Sequence, residues 1–180
     1  TGSIGKSTLE IVKRSTKFRV QLLATNKNFF EITRQIKFFK PNVIIIINKN
    51  IYLKVKKKYQ NQRFIILNSF ENIKKYIKKI DVTISAIPGI AGLEPTILFT
   101  QISKKILIAN KEAIICGWHL IKKNALKFKS ELVPIDSEHF SINTLLKNFP
   151  KNKIEKIYIT ASGGPFLKLN LNKFKNIKPK

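Results

Sequence analysis

The chain opens with residues 1–12, TGSIGKSTLEIV, in which two glycines precede an amphipathic, helix-forming segment. A glycine-rich turn that leads into a helix, with a strand about 20 residues further on, is typical of the first half of a mononucleotide-binding unit. Glycines let the backbone approach a pyrophosphate, and the free N–H groups at the helix N-terminus stabilise its charge. The complete pattern has a strand and a further glycine in front, so we expect both to precede Thr1. Taken alone, the pattern also fits an ordinary strand-to-helix turn.

Downstream of this turn, strand-like and helix-like segments alternate. The strand-like segments are residues 18–25, 42–49, 81–87, 105–110 and 131–136, and the helix-like segments are residues 28–39, 69–80, 93–103 and 112–128. This alternation predicts βαβ units with right-handed crossovers in a parallel sheet. The β-branched run at residues 43–47 is typical of a strand that is covered on both faces. We therefore predict an α/β fold, a Rossmann-like doubly wound parallel sheet that lacks its first strand.

A change of domain is expected near residues 130–134, although the sequence marks it only weakly. Residues 1–130 are predicted to form the Rossmann-like domain, and residues 131–180 the beginning of an α+β domain. No apolar run approaches the roughly 18–20 residues of a membrane span, and no signal peptide begins at Thr1. The single cysteine, Cys116, excludes an internal disulfide and fits a reducing cytoplasm.

The net charge of +25 arises from 35 Lys and Arg against 10 Asp and Glu. Such an excess is ordinarily a sign of nucleic-acid binding. Here the lysines are spread evenly and accompany abundant Ile and Asn, as expected for compositional drift in an AT-rich genome. Since no recognisable nucleic-acid-binding module accompanies them, we expect no specific nucleic-acid partner. A basic nucleic-acid-binding protein remains the alternative.

The end of the first strand-like segment bears on the choice of dinucleotide. NAD-binding folds usually place Asp or Glu there to bind the ribose 2′-hydroxyl. This chain instead has Asn26, Lys27 and Asn28. A lysine and amides suit a 2′-phosphate, which a carboxylate would repel. The residues therefore favour NADP over NAD, while a solvated lysine in a lysine-rich chain is the alternative.

Chemically useful side chains collect just past three further strand-like segments, at the sheet edge where open α/β folds bind ligands. Asp136 and Glu138 are two carboxylates at positions i and i+2, which suits a hard divalent cation such as Mg²⁺ or Mn²⁺. Two ligands are too few for a tight site, so water, substrate or a later residue must complete it. Lys111 could hold a substrate oxygen, and Ser162, followed by two glycines, could bind phosphate or a polyol.

Taken together, these motifs resemble the 1-deoxy-D-xylulose 5-phosphate reductoisomerase family. The resemblance rests on TGSIGKSTLEIV, AIPGIAGLEPT, ANKEAIICG, PIDSEH and TASGGPF, which occur in the family's order over nearly the whole chain. It implies an enzyme of non-mevalonate isoprenoid biosynthesis that uses NADPH and a divalent cation (Mg²⁺, Mn²⁺ or Co²⁺). The carbon skeleton of the sugar phosphate rearranges to an aldehyde, which NADPH reduces to 2-C-methyl-D-erythritol 4-phosphate.

The resemblance also implies roles for individual residues. The residues matched to NADPH contacts are Thr1, Gly2, Ser3, Ile4, Asn26, Lys27, Asn28, Asn110 and Glu112. The residues matched to metal ligands are Asp136 and Glu138, and those matched to substrate contacts are Lys111, Ser137, Glu138 and Ser162. Of these, Lys111, Asp136 and Glu138 are implied to be catalytic. Asn26 stands where the family often has glycine, so a contact from its side chain is not implied.

On this resemblance the chain is a fragment: an NADPH-binding domain, residues 1–130, and the start of a catalytic domain, residues 131–180. A third metal-binding glutamate and the substrate phosphate site are expected beyond Lys180, so residues 1–180 alone are expected to be inactive. The full-length protein is expected to be a homodimer in a bacterial or endosymbiont cytoplasm, with a plastid as the alternative. Another NADP-dependent Rossmann oxidoreductase is the competing enzyme class.

Overall fold

The computed structural model describes residues 1–158, 164 and 166–177. The strands are β1 (Leu22–Thr25), β2 (Val43–Ile46), β3 (Ile65–Leu67), β4 (Ile80–Ser85), β5 (Ser103–Ile108) and β6 (Glu131–Pro134). The helices are α1 (Ser3–Lys13), α2 (Phe29–Phe39), α3 (Lys49–Lys58), α4 (Ile73–Tyr76), α5 (Leu93–Thr100), α6 (Lys111–Phe128) and α7 (Ser137–Leu146). The chain divides into two compact units, Thr1–Phe140 and Ser141–Lys180.

The six strands form two parallel three-stranded sheets in the first unit, in the orders β1-β2-β3 and β4-β5-β6. Among the described strands, β1 and β4 each have a neighbour on one side only. In both sheets parallel strands alternate along the chain with helices, as in βαβ units. The predicted α/β, Rossmann-like class is therefore confirmed, with its strands in two sheets.

Strand β2 is buried on both faces of the first sheet. All four of its residues, Val43 to Ile46, have no exposed surface. Ile44 and Ile46 belong to one apolar cluster with residues of α2 and α3, whereas Val43 and Ile45 belong to another with Ile106 and Ile108 of β5. Side chains alternate between the faces of a strand, so a continuous apolar run requires helices or strands on both sides.

Helices α1, α2, α5 and α6 lie where the sequence predicts helical segments, but the helix expected at residues 69–80 is wrong in extent. Only Ile73–Tyr76 are helical, and Ile77 has an extended backbone with φ −131° and ψ 115°. Ile73 and Ile77 are both buried in the larger apolar cluster. Because the extended conformation delivers Ile77 to this core and leads into β4 at Ile80, tertiary packing overrides the helical spacing.

Three elements, β3, α3 and α7, were not expected. Strand β3 has three residues, too few for a periodic pattern. Helix α3 contains the lysine-rich segment KVKKK, and it is stabilised by the Asn48 side chain, which accepts a hydrogen bond from the Ile51 N–H at 3.1 Å. Val55 is the one residue of α3 that is fully buried. The basic run is therefore largely the solvated face of an ordinary covering helix.

The second unit contains the end of α7 and two short 3₁₀ helices, Lys151–Lys153 and Leu171–Asn176. The strand expected before Ser162 is not formed at Ile157 or Tyr158, and its remaining residues lie outside the described residues. In the part of the chain that the structure describes, no helix is both long and apolar enough to cross a bilayer.

A buried asparagine joins the two loops at the carboxyl edge of the second sheet. The Asn110 side chain donates hydrogen bonds to the carbonyls of Ile87 and Gly89 and accepts one from the Ala113 N–H at 2.9 Å. It thereby caps α6 and fastens the β4–α5 loop. A Cβ atom at Gly92 would collide with both the Asn110 amide and the Ile87 carbonyl oxygen. The glycine at position 92 is therefore required for space, since its φ of −81° suits any residue.

We predict that Gly92→Ala destabilises the chain by about 2–4 kcal/mol, because overpacking and the displaced Asn110 hydrogen bonds both contribute. The matched control is Gly5→Ala in α1, where a Cβ meets nothing within 4 Å. This change is expected to stabilise by about 0.5–1 kcal/mol, since alanine is the better helix former. Urea unfolding of both variants measures the difference, and equal effects would contradict the crowding at Gly92.

Candidate functional site

The pairing of β5 with β6 brings two sequence-distant loops to one edge. Ile108 lies opposite Pro134 in the parallel ladder. The Ile135 N–H continues the pairing by donating to the Ile108 carbonyl at 2.9 Å. Because parallel strands end at the same edge, the chain after β5 (Asn110–Glu112) and the chain after β6 (Asp136–Glu138) emerge side by side.

Lys111 and Glu138 form the central contact between these loops. The Lys111 Nζ donates to the Glu138 Oε1 at 3.0 Å, and both side chains are about half exposed. The pKa of Glu138 is lowered to about 2, first by its own backbone N–H and then by hydrogen bonds from Lys111 and Ser137. The same pair raises the pKa of Lys111, and the nearby charge of Asp136 adds to the effect. Two opposite charges are therefore held in their ionised forms.

Asp136 is the buried member of the group, with a side chain only 6% exposed. Its Oδ1 accepts hydrogen bonds from the His139 backbone N–H at 3.1 Å and contacts the His139 Nδ1 at 2.7 Å. Its Oδ2 is buried and has no partner among the described residues. A buried, unpaired carboxylate oxygen is unfavourable, so a cation at this position would be stabilised.

Ser137 completes the cluster from the start of α7, because its Oγ donates to the Glu138 Oε2 at 2.9 Å. Lys111, Asp136, Ser137 and Glu138 are thus brought together as the sequence predicts. The unpartnered Oδ2 of Asp136 and the carboxylate of Glu138 are oxygen ligands that suit a hard divalent cation. Although His139 contacts Asp136, the described residues contain no group of three or more His, Cys, Asp or Glu side chains that could hold a metal ion.

The predicted nucleotide-binding residues Thr1 to Ile4 lie at the carboxyl edge of the first sheet. The helix begins at Ser3, so Ser3 and Ile4 belong to the first turn of α1 and not to a loop. Gly2 caps this helix without a side-chain hydrogen bond, which leaves the first N–H groups available to an anion. The Thr1 hydroxyl shares a 2.8 Å hydrogen bond with the buried hydroxyl of Thr25 at the end of β1.

The segment Asn26–Asn28 follows directly after β1, and its side chains are exposed. Asn28 caps α2, since its Oδ1 accepts a hydrogen bond from the Glu31 N–H at 3.0 Å. The Asn26 backbone carbonyl accepts from the Asn48 N–H at 3.4 Å. No ion pair between described residues involves Lys27. Its ammonium is therefore available to a phosphate.

The two remaining predicted cofactor residues differ in accessibility. Asn110 is only 3% exposed, and its side chain already makes the three structural hydrogen bonds described above. Glu112 is exposed in the first turn of α6, where a carboxylate is favourable. A cofactor contact by Asn110 or Glu112 stays a prediction. Ser162 lies outside the described residues.

Some residues that organise these edges are not predicted by the sequence motifs. Thr25 holds Thr1, His139 holds Asp136, and the Asn68 side chain donates to the carbonyls of Ile46 and Ile47 at 2.6 and 3.1 Å. Thr25 ends a strand-like run, which is a usable signal, whereas Asn68 follows β3, which the sequence pattern does not predict. His139 lies within the DSEH motif, where its spacing of i+3 from Asp136 indicates a capping contact.

Two family models match the chain. One, described as 1-deoxy-D-xylulose 5-phosphate reductoisomerase, matches residues 1–117, and the other, described as the C-terminal domain of that enzyme, matches residues 132–180. Residues 118–131, which lie between the two matches, include the predicted domain boundary at residues 130 and 131. The compact units of the structure divide after Phe140. The predicted boundary at residues 130 and 131 stays a prediction.

Curated relatives with the same description include those of Pelagibacter ubique and Francisella tularensis. They are 48% identical over 184 residues and 34% identical over 182 residues, respectively. These alignments cover 100% and 99% of this chain but 47% of each relative. The chain therefore spans about half the length of the curated relatives it matches.

Solved structures agree with this result. The reductoisomerase from Zymomonas mobilis in complex with NADPH is 29% identical, with a TM-score of 0.80 over 96% of this chain and 46% of that one. A reductoisomerase in complex with NADPH, fosmidomycin and magnesium is 30% identical, with a TM-score of 0.78 over 98% of this chain and 47% of that one. The chain belongs to the 1-deoxy-D-xylulose 5-phosphate reductoisomerase family.

Proposed function

We propose that this protein acts in the NADPH- and metal-dependent conversion of 1-deoxy-D-xylulose 5-phosphate to 2-C-methyl-D-erythritol 4-phosphate. The observation that carries the proposal is the cluster of Lys111, Asp136 and Glu138, in which one buried carboxylate oxygen has no partner in the described part of the chain. Relatives that share the family name, and solved relatives that hold NADPH and magnesium, support it. The substrate is accordingly a small sugar phosphate, and the class is an NADP-dependent oxidoreductase and isomerase of isoprene biosynthesis.

Asp136 and Glu138 are proposed to hold the divalent cation. Asp136 is held in place by two contacts with His139, so its free Oδ2 is preorganised as a ligand. Glu138 has a pKa of about 2 and is therefore an anion at neutral pH, as a metal ligand must be. When bound, the cation supplies Lewis-acid stabilisation of negative charge on substrate oxygens. Mg²⁺, Mn²⁺ and Co²⁺ all fit a site made of carboxylate oxygens.

Lys111 and Ser137 are proposed to position the substrate. Both contact Glu138, so they place an ammonium and a hydroxyl beside the same carboxylate. The ammonium can hold a substrate oxygen and stabilise the charge that develops on it as the carbon skeleton rearranges. Ser162 is proposed as a further substrate contact on the strength of its motif.

The carboxyl edge of the first sheet is proposed to bind NADPH. The uncapped N-terminus of α1 at Thr1–Ile4 would hold the pyrophosphate, and Lys27 between Asn26 and Asn28 would hold the 2′-phosphate. Asn110 and Glu112 are proposed to lie near the cofactor at the neighbouring edge. Hydride transfer then depends on both edges facing one substrate, with water excluded.

Because the chain covers about half of its relatives, we propose that residues 1–180 alone do not turn over substrate. The remaining metal ligand and the substrate phosphate site would come from further sequence. We also propose that the full-length protein is a homodimer. Its bacterial relatives and its single cysteine support a location in a bacterial cytoplasm.

In the full-length gene product, Asp136→Asn is expected to weaken Mn²⁺ binding by at least about 100-fold, since even indirect support of a ligand contributes about 10–100-fold. Rearrangement and reduction should be lost together. Electron paramagnetic resonance of free Mn²⁺ measures binding without reference to activity. The matched control is Asp81→Asn, which removes a carboxylate that pairs with Lys104 at the opposite end of β4. Unchanged Mn²⁺ binding in Asp136→Asn would overturn the metal assignment.

A second test addresses the nucleotide. Lys27→Gln in the full-length gene product should raise the KM for NADPH about tenfold, because a charge-assisted hydrogen bond contributes about 1.5–3 kcal/mol. The KM for NADH, which has no 2′-phosphate, should change less than about twofold. Lys17→Gln, another exposed lysine, serves as the control for net charge. An equal effect of Lys27→Gln on both nucleotides would show that Lys27 does not recognise the 2′-phosphate.

A further inference from the structure

A cavity of ≈ 820 Å³ lies at the end of the first sheet opposite the proposed NADPH edge. Three of its lining residues, Arg19, Asn42 and Phe64, come shortly before β1, β2 and β3. The cavity is therefore at the amino edge of these strands, whereas Asn26–Asn28 follow β1 at the carboxyl edge. Its volume is within the roughly 300–1,000 Å³ of small-molecule sites. We call it the amino-edge cavity.

The lining of the amino-edge cavity is strongly cationic. Six of its residues are basic and none is acidic; the basic ones are Arg19, Arg34, Lys37, Lys40, Lys58 and Arg63. A carboxylate near the cavity, Glu31, is paired with Arg34 at 2.8 Å. Ion pairs between described residues do not include Lys37, Lys40 or Arg63. The cavity therefore offers several cations to a ligand that carries more than one negative charge.

The arginines show that this charge is not simply the lysine-rich composition of the chain. The whole sequence contains four arginines, and three of them, Arg19, Arg34 and Arg63, line this one cavity. Compositional drift spreads lysines over the whole surface but does not gather arginines in one place. Arginine is the side chain that binds phosphate through two parallel hydrogen bonds, which a lysine cannot do.

Helix electrostatics do not account for the arginines either. The C-terminal ends of α2 and α3 carry partial negative charge, and basic residues such as Lys37 and Lys58 are favourable there. Arg19 and Arg63, however, lie outside the helices, in the segments before β1 and β3. Arg19 is oriented by a 3.3 Å hydrogen bond from its Nη2 to the Asn42 Oδ1.

An aromatic surface accompanies the cations. Phe30 lines the cavity, and this residue is 85% exposed. Tyr59 and Phe64, also in the lining, pack edge to face with ring centroids 5.3 Å apart. Burying Phe30 against a flat ligand would remove apolar surface from water, and an aromatic ring stabilises a base that stacks on it.

We propose that the amino-edge cavity binds a free nucleoside triphosphate. Arg19, Arg63, Lys37 and Lys40 hold the phosphates, and Phe30 stacks on the base. The combination of phosphate-binding arginines with an exposed aromatic ring in one cavity lining favours this class over a simple inorganic anion. The site is separate from the proposed NADPH edge, so it would add a nucleotide-responsive function to the protein.

The test is calorimetric titration of the purified protein with ATP in the presence of saturating NADPH. Arg63→Glu is expected to weaken ATP binding at least tenfold. The matched control is Arg14→Glu, which makes the same charge change at the remaining arginine, outside the cavity. It should change ATP binding less than twofold. Phe30→Ala should weaken binding of ATP at least threefold and leave binding of inorganic tripolyphosphate unchanged.

Each of the following four outcomes would overturn the proposal. Equal losses in Arg63→Glu and Arg14→Glu would show that only the net charge attracts ATP. Elimination of ATP binding by NADPH would place ATP in the cofactor site. Equal binding of tripolyphosphate and ATP, with no effect of Phe30→Ala, would exclude recognition of the base. Tighter binding of a twelve-nucleotide uridine RNA, weakened by Arg63→Glu, would make the ligand a nucleic-acid strand. Unfolding temperatures of all variants within about 4 °C of the unmodified protein show that they are folded.

Discussion

The parallel register between β5 and β6 is the constraint on which the candidate site depends. It places Ile108 opposite Pro134, so that two loops separated by a whole helix leave the sheet together. The 3.0 Å contact between Lys111 and Glu138 is a direct consequence of this register. A shift of one residue would turn the side chains of β6 to the other face and separate the loops. The buried core of the second sheet, including Ile106 and Ile108, opposes such a shift.

The site is stabilised unevenly, and this unevenness agrees with the proposed role. Glu138 is supported by its own backbone N–H, by Lys111 and by Ser137. Asp136 is more deeply buried, yet one of its oxygens has no partner among the described residues. Natural structures seldom leave a buried carboxylate oxygen unpaired outside functional sites, since the loss of hydration is not repaid. The two residues therefore differ in what they offer: Glu138 a fixed anion, and Asp136 a free ligand atom.

The sequence was informative where one local rule decided the structure. The β-branched run of β2, the helical stripe of α2 and the position of the two loops after β5 and β6 at one sheet edge were predicted correctly, because burial and parallel topology leave few alternatives. Local rules failed where long-range packing decided, as when Ile77 is buried in an extended backbone and shortens α4. The structural use of Asn110 was not predictable either, because its partners Ile87 and Gly89 are brought close only by the fold.

The contact between Lys111 and Glu138 holds the candidate site together, and carboxyl-carbon NMR titration of Glu138 tests this contact. The pKa of Glu138 should be about 2 in the unmodified protein and should rise towards its ordinary value of 4.5 in Lys111→Met. Because the folded state lowers this pKa, the stabilisation is present above pH 4.5 and is lost as the pH falls towards 2. A Glu138 pKa that is the same in Lys111→Met as in the unmodified protein would show that Lys111 does not contact Glu138, and it would contradict the site.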